Sequence, residues 1–265
     1  MPGVVIAYSA AMSNVFQFTT SLTLLMRYDA YNEQHLMGQF GGEVALQSGP
    51  RIAEIRTQMV KKFLETPDYR NSEWLLQVDA DMTFQPDLVS RLMEVADRDE
   101  VPILGGLCFA GGHAGGRAYP TIYEEILDED GDVCVQPVAD YPRNRLVKCG
   151  ATGGACLLVH RTVYERMMQA HPKGYGTRPD GAKNFYPWFV EGVTDPKGRP
   201  LGEDVVFCRK ARGMGIPTHV DTSIKLGHVK TYILDEDEWL RRQATNVTGD
   251  RAARRRAARE LARAR

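Results

Sequence analysis

Apolar residues along this chain fall into short continuous runs separated by segments of helical spacing. Residues 4–8 form an apolar run that ends in small polar residues, the pattern of a buried first strand. A helical pattern is expected over about 13–28, and a second strand near 36–40. After Pro50, apolar positions 52, 55, 59, 60 and 63 have helical spacing, with the proline suited to a first turn. Residues 74–78 read as a buried strand, Gln85-Pro86-Asp87 opens a helix carrying Leu88, Leu92, Met93 and Val95, and 101–109 read as the next strand. This alternation of strand and helix over the first ~110 residues argues for a largely parallel sheet covered on both faces.

The second half is patterned differently. Segments 119–126 and 133–138 read as two strands around the turn Asp128-Glu129-Asp130-Gly131-Asp132. A strand is expected over 154–159 and a helix over 162–170. Residues 171–200 are rich in Gly, Pro and aromatics, and an irregular segment of that length is usually functional or mobile. A helix is expected over 203–212, short strands over 218–220 and 224–227, and a last helix over 235–242. No internal repeat is visible.

Composition sets limits on this picture. The 265 residues are 43% hydrophobic and 25% charged, which fits a globular chain of roughly one to two domains and not a disordered one. No apolar run approaches the ~20 residues of a membrane span. The first residues lack a charged segment and a cleavage site, so no export signal is expected. Five cysteines without a C-x-x-C pair fit reduced thiols in a cytoplasm better than disulfides or a thiolate zinc site. The Asn246-Val247-Thr248 sequon is then read as chance. The net charge of −1 hides a split: residues 241–265 hold nine Arg and two acidic residues, net +7, leaving −8 for the other 240.

The sharpest chemical feature is Val78-Asp79-Ala80-Asp81-Met82 at the end of a buried strand. In extended backbone, residues i and i+2 face the same way, so both carboxylates would point into one crevice. Open α/β sheets bind ligands at the carboxyl ends of their strands. A divalent cation such as Mn²⁺ or Mg²⁺ would satisfy two converging carboxylates, with a diphosphate at other coordination positions. A solvated turn with a helix-capping aspartate is the competing reading. Leu201-Gly202-Glu203-Asp204 puts two acids at a helix start, either complementing the helix dipole or supplying a general base for an acceptor hydroxyl. Ile224-Lys225-Leu226-Gly227-His228 ends a short strand with a histidine, a structural residue or the imidazole of a mixed metal site.

Taken in order, these elements resemble the GT-A glycosyltransferases, closest to the inverting family-2-like enzymes of bacteria and phages. The resemblance covers roughly residues 3–235. It includes 74–89 as the D-x-D strand and helix, Gly150-Ala151-Thr152-Gly153-Gly154-Ala155-Cys156-Leu157-Leu158-Val159 as a small-residue acceptor-side strand, and 202–228 as the run from catalytic acid to metal histidine. It implies an α/β fold of GT-A type: a Rossmann-like, mostly parallel central sheet flanked by helices, with a smaller acceptor-side sheet. One catalytic domain would span 1–247, with a nucleotide-sugar half at 1–110 and an acceptor half at 111–247. An Arg-rich tail, helical or disordered, would occupy 248–265.

The resemblance also implies site roles. Asp79 would touch the nucleotide ribose or metal-bound water, Asp81 would ligate Mn²⁺ or Mg²⁺, and His228 would be the third protein contact to metal or diphosphate. Asp204 would be the base and Glu203 would orient the acceptor. Tyr8 and Ser9 match where the family holds the nucleobase, and Gly153 and Gly154 lie on the acceptor side. Arg56 corresponds to a helix arginine facing the nucleotide, although the usual Arg-Asn pair is Arg-Thr here; a solvated helix arginine is the competing reading. The donor would be a nucleotide sugar, UDP-linked by expectation, and the enzyme a cytoplasmic glycosyltransferase.

Other features bear on alternatives. The glycine-dense 111–116 segment lacks the Lys-Ser/Thr of a P-loop and reads as a lid or a plain connector, with His113 a candidate phosphate contact. Phe185-Tyr186-Pro187-Trp188-Phe189 offers aromatics for a sugar or a base, Trp188 foremost on the acceptor side, or a satellite core beneath a loop. The tail spreads its arginines around a helical wheel, unlike a membrane-surface helix with its broad apolar face. It suits a polyanion such as DNA, the protein's own acidic surface, or solvent. Candidate acceptors are therefore modified DNA, a protein or a glycan; the sequence does not specify the oligomeric state. A sugar-phosphate nucleotidyltransferase is the second enzymatic reading, although Tyr8-Ser9-Ala10-Ala11-Met12 lacks that class's glycine-rich basic loop. A catalytically degenerate domain binding nucleic acid through its tail is the non-enzymatic one.

Overall fold

The computed structural model describes residues 3–10, 15–36, 43–47, 51–111, 118–170 and 186–230. The described residues up to Val229 pack as one compact unit. In chain order its elements begin with β1 (Gly3–Ala10), α1 (Phe16–Tyr31), β2 (Glu43–Gln47), α2 (Ile52–Glu65), β3 (Ser72–Val78), β4 (Met82–Thr83) and α3 (Leu88–Val95). The strands β5 (Ile103–Leu107), β6 (Phe109–Ala110), β7 (Tyr119–Pro120), β8 (Ile122–Leu127) and β9 (Val133–Pro137) follow. The rest are β10 (Leu146–Cys149), β11 (Ala151–Thr152), β12 (Cys156–His160), α4 (Arg161–Gln169), α5 (Glu203–Gly213), β13 (Thr218–Lys225) and β14 (Gly227–His228).

Seven strands form the central sheet in the order β2-β1-β3-β12-β5-β13-β10. β1 pairs in parallel with both β2 and β3, and β5 with β13, whereas β12 is antiparallel to β3 and β5 and β10 to β13. Five of the seven strands therefore run one way, and the sheet is mixed but mostly parallel in direction. Smaller sheets are formed by β11-β8-β9, by β14-β4 and by β6-β7.

The near-continuous apolar runs of β1, β3 and β12 follow from burial of both sheet faces. One face carries Val5, Leu75, Leu157 and Val159 against Val60 and Phe63 of α2, Tyr164 of α4 and Phe207 of α5. The other carries Val4, Ile6, Leu76 and Leu158 against Phe18, Leu22 and Leu25 of α1 and Leu92 of α3. Alternate residues serve the two cores, as a period of two requires.

Some expectations need correction. Among the described residues the strand that follows α1 is Glu43–Gln47, and Leu36, the one described residue of the expected 36–40, is not in a strand. His35 and Leu36 instead turn around Asp29, whose carboxylate accepts both of their backbone N–H groups; residues 37–40 lie outside the described residues. The two short strands expected over 218–227 are one longer strand, β13, followed by β14. β10 and the two-residue strand β4 fall outside the expected strands, being too polar or too short to show a period. The five cysteines are all free and buried. Among the described residues no helix is long and apolar enough to cross a membrane.

Candidate active site

The parallel strands β1, β3, β5 and β13 all end at one edge of the sheet. β12 runs the other way, so the glycines that precede it reach the same edge. The chemistry-bearing residues collect there because topology, not sequence proximity, gathers them.

Strand geometry ends at Val78. The Asp79 N–H donates to Ala155 O at 3.1 Å, and the Met82 N–H donates back to Asp79 O at 3.1 Å, closing a tight turn around Ala80 and Asp81. The alternation expected for the two aspartates is therefore lost. Asp79 Oδ1 accepts from Arg56 Nη2 at 2.6 Å, while Asp81 Oδ2 lies 2.9 Å from His228 Nε2. The two carboxylates remain close enough for Asp81 to disfavour ionisation of Asp79.

His228 is delivered by a ladder two residues long. Gly227 pairs with Thr83 and His228 with Met82, and the Val229 N–H donates to Asp81 O at 2.8 Å. His228 Nδ1 lies 2.8 Å from Phe109 O. A carbonyl only accepts, so Nδ1 carries a proton and orients the ring. A neutral ring would then aim the Nε2 lone pair at a carboxylate oxygen, two acceptors facing each other. A divalent cation held by both atoms would satisfy them. A histidine with one nitrogen fixed by a backbone carbonyl and the other beside a carboxylate is a common metal-ligand arrangement.

One carboxylate oxygen and one imidazole nitrogen make a mixed donor pair that could ligate a divalent cation such as Mn²⁺. Adjacent octahedral ligands at ~2.1 Å stand about 3 Å apart, close to the Asp81–His228 spacing, and Mg²⁺-like ions take one or two protein ligands with phosphates and waters completing the shell. Among the described residues no three His, Cys, Asp or Glu side chains are grouped to hold a metal. Asp79, engaged by Arg56, does not join Asp81 and His228 as a third ligand in this arrangement.

Arg56 is the residue that ties the site together. It is 4% exposed, on the face of α2 that also buries Ala53, Met59, Val60 and Phe63. Besides Asp79, its Nε donates to Glu203 Oε1 at 3.0 Å, and Nη1 donates to Gly154 O at 2.9 Å and Gln77 Oε1 at 3.3 Å. Burial would lower its pKa, but Asp79, Glu203 and Asp204 more than offset this, and the net shift is upward. Arg56 is therefore a buried internal cross-link and not a solvated helix arginine.

The acid pair opens α5. Glu203 is held by Arg56; burial and then Asp204 push its pKa up, with Arg56 opposing. Asp204 takes the Gly154 N–H on Oδ2 at 2.8 Å and the Val205 N–H on Oδ1 at 2.7 Å. Gly154 thus offers its carbonyl to Arg56 and its amide to Asp204. A Cβ at Gly154 would lie 2.7 Å from Arg56 Cζ, so the close approach needs glycine. Gly153 is pressed against Thr121 in the same way.

Tyr8 pairs in register with Val78, which places Ser9 beside the start of the D-x-D turn. The Tyr8 ring, however, is 8% exposed and packs on Phe18 with ring centroids 5.1 Å apart, so it belongs to the α1-side core. Trp188 requires a correction. It is 2% exposed, its Nε1 donates to Tyr164 O at 3.0 Å, and it sits in the α2-side core with Tyr186 and Phe189. No ring face is left for an acceptor, and the core it joins is the main one. His113, Phe185, the rest of segment 112–117, the helix expected over 235–242 and the tail lie outside the described residues.

Tyr123 on β8 was not singled out from the sequence. Burial, followed by the charges of Asp204, Tyr119 and Glu203, raises its pKa, which places its phenol near the acid pair. A lone tyrosine in an alternating strand gives no signal for this. Arg56 did give one, as a charged residue inside the apolar stripe of α2.

No protein-family model matches the chain, and no curated protein sequence matches it. Solved structures do. GalNAc-T7, in a crystal structure with UDP, GalNAc and Mn²⁺, matches with a TM-score of 0.50 at 10% identity over 87% of this chain and 43% of that one. The chain thus spans less than half the length of that structure. A197 from STIV matches with a TM-score of 0.47 at 15% identity over 87% of both chains. A 4-diphosphocytidyl-2C-methyl-D-erythritol synthase matches with a TM-score of 0.42 at 12% identity over 91% of this chain and 97% of that one. With its central sheet, flanking helices and smaller sheets, the chain has a fold of the GT-A glycosyltransferase type.

Proposed function

We propose that this chain is a metal-dependent glycosyltransferase that moves a sugar from a nucleotide-sugar donor, UDP-linked, to an acceptor hydroxyl with inversion. The observation that carries the reading is the Asp81–His228 pair, a carboxylate and an oriented imidazole 2.9 Å apart at the carboxyl edge of the sheet. The likeness in fold to GalNAc-T7, crystallised with UDP, GalNAc and Mn²⁺, supports a nucleotide-sugar donor and a divalent cation.

In this reading Asp81 and His228 would hold Mn²⁺ or Mg²⁺, whose chemistry is to neutralise charge developing on a diphosphate leaving group. Ser9 and Asp79, at neighbouring strand ends, would border the nucleoside. Asp204 is the base: its carboxylate takes the proton of the acceptor hydroxyl as the oxygen attacks the anomeric carbon. The bond from that carbon to the diphosphate breaks, the glycosidic bond forms, and the nucleoside diphosphate leaves. Glu203, fixed by Arg56, and Tyr123, close to the pair, would orient the acceptor.

The test is a panel of nucleotide sugars scored for Mn²⁺-dependent release of the nucleoside diphosphate. The reading expects one donor, UDP-linked, to be turned over only with metal. Release of pyrophosphate from a nucleoside triphosphate and a sugar phosphate would replace it with a nucleotidyltransferase.

A further inference from the structure

The donor-side and acceptor-side carboxylates come from different parts of the fold, the turn after β3 and the start of α5, yet they meet on a single buried cation. Arg56 Nη2 holds Asp79 at 2.6 Å and Arg56 Nε holds Glu203 at 3.0 Å. The same guanidinium holds the carbonyl of Gly154, whose amide holds Asp204. We propose that Arg56 is a positioning residue: it fixes Asp79 on the donor side against Glu203 and, through Gly154, Asp204 on the acceptor side, without itself touching the nucleotide. This inference rests on the transferase reading of the site, but the cross-link it names is measurable without substrate.

Three physical points support it. Four guanidinium hydrogen bonds end on protein groups, and the side chain is 5% exposed, which leaves little surface for a phosphate or a base. Planar fork geometry lets one guanidinium serve two carboxylates in different directions, which a lysine ammonium on a flexible stem does not reproduce. The charge balance also requires the cation. Asp79, Glu203 and Asp204 all act on Arg56, and removing it would leave the partly buried Asp79 and Glu203 without the counter-charge they share. Displacing either carboxylate by even ~1 Å is enough to cost about 100-fold in turnover.

The experiment uses Arg56→Gln, Arg56→Lys, Asp79→Asn and Glu203→Gln in the full chain. Turnover is followed with the nucleotide sugar that wild type hydrolyses fastest, and UDP binding with Mn²⁺ by calorimetry. The proposal expects kcat to fall about 100-fold in Arg56→Gln, with UDP affinity within about threefold of that of Asp79→Asn. Arg56→Lys should recover only part of kcat, because an ammonium does not span both carboxylates. A loss of UDP affinity in Arg56→Gln well beyond that in Asp79→Asn would make Arg56 a nucleotide contact and overturn the proposal. So would unchanged turnover.

Urea unfolding reads the cross-link itself. Asp79→Asn and Glu203→Gln together should lower the unfolding midpoint by more than the sum of the single changes, because the second change strands the buried cation. In the Arg56→Lys background that excess should shrink, which keeps the test available if Arg56→Gln does not fold. Additive single changes overturn the cross-link whatever wild type does with UDP. A wild type that neither binds UDP nor turns over any donor removes the transferase reading instead, and the positioning role with it, while the unfolding cycle still reports whether the cross-link exists.

Discussion

At the residue scale, the two D-x-D carboxylates turn to different partners. Asp81 meets His228, and Asp79 meets Arg56, because a turn closed by the Met82 N–H replaces extended backbone after Val78. The D-x-D motif, the acid pair and the late histidine were legible as residues and in their order. Their geometry was not, since alternation assumes a strand that has already ended. Asp204 carries the most direct residue-scale prediction. Asp204→Asn keeps the shape of the side chain but removes its basicity, and kcat should fall by about 10²–10⁴-fold with UDP–Mn²⁺ affinity intact. Steady-state kinetics beside calorimetry checks both halves.

Glu203 carries a prediction about pH. Burial and the neighbouring Asp204 raise its pKa, so protonation begins at a higher pH than for an ordinary glutamate. As pH falls, the neutral acid loses its charge pairing with Arg56 before a solvated carboxylate would be protonated. The acid limb of kcat should therefore lie above the ordinary glutamate range in wild type and move to lower pH in Glu203→Gln. A pH–rate profile in which both proteins share one limb would assign that limb to another group.

At the scale of elements, α2 shows how a pattern was right for incomplete reasons. Its apolar stripe predicted the helix and its buried face, and Arg56 lies within that stripe beside Ala53, Met59, Val60 and Phe63. A charge so placed has to find partners in the interior, and those partners come from β3, α5 and the turn before β12. The aromatic segment before α5 went the other way. Its Trp188 packs with Tyr164, ring centroids 6.2 Å apart, and donates to the Tyr164 carbonyl, so it anchors the irregular segment to α4. Trp188→Ala should cost about 3–5 kcal/mol in urea unfolding, the usual range for emptying a large aromatic site. A change confined to acceptor KM, with stability unaltered, would return the residue to the surface role expected from the sequence.

The turn before β12 gives the complementary case. Gly154 is wedged between Arg56 and Asp204, and a methyl group there pushes against the guanidinium. Gly154→Ala should lower turnover by a larger factor than the same change at Gly131, a hairpin-turn glycine with no side chain near its missing Cβ. Both variants would be compared by kcat and by thermal unfolding. Gly131→Ala is expected to act on stability, through its positive φ of 82°, and not on turnover.

At the scale of the molecule, the fold gathers at one sheet edge what the chain spreads over more than 200 residues. Alternating strands and helices announced the parallel half of the sheet. The insertion of β12 between β3 and β5, antiparallel to both, left no local mark, because strand order is fixed by long-range pairing and not by period. That insertion brings Gly153 and Gly154 to the carboxyl edge and makes the Arg56 junction possible. Asp79, Asp81, Glu203 and Asp204 of the acidic body lie at this one edge, while the basic stretch of 241–265 falls outside the described residues.

The central claim is that Asp81 and His228 form the metal end of a nucleotide-sugar site. Calorimetric titration of UDP into wild type and Asp81→Ala, each with and without Mn²⁺, tests it most directly. The account predicts UDP binding in wild type that depends on Mn²⁺ and weakens by at least about 100-fold in Asp81→Ala, since one of the two protein ligands and its charge are gone. Equal UDP affinity with and without Mn²⁺, or a titration unchanged by Asp81→Ala, would contradict it.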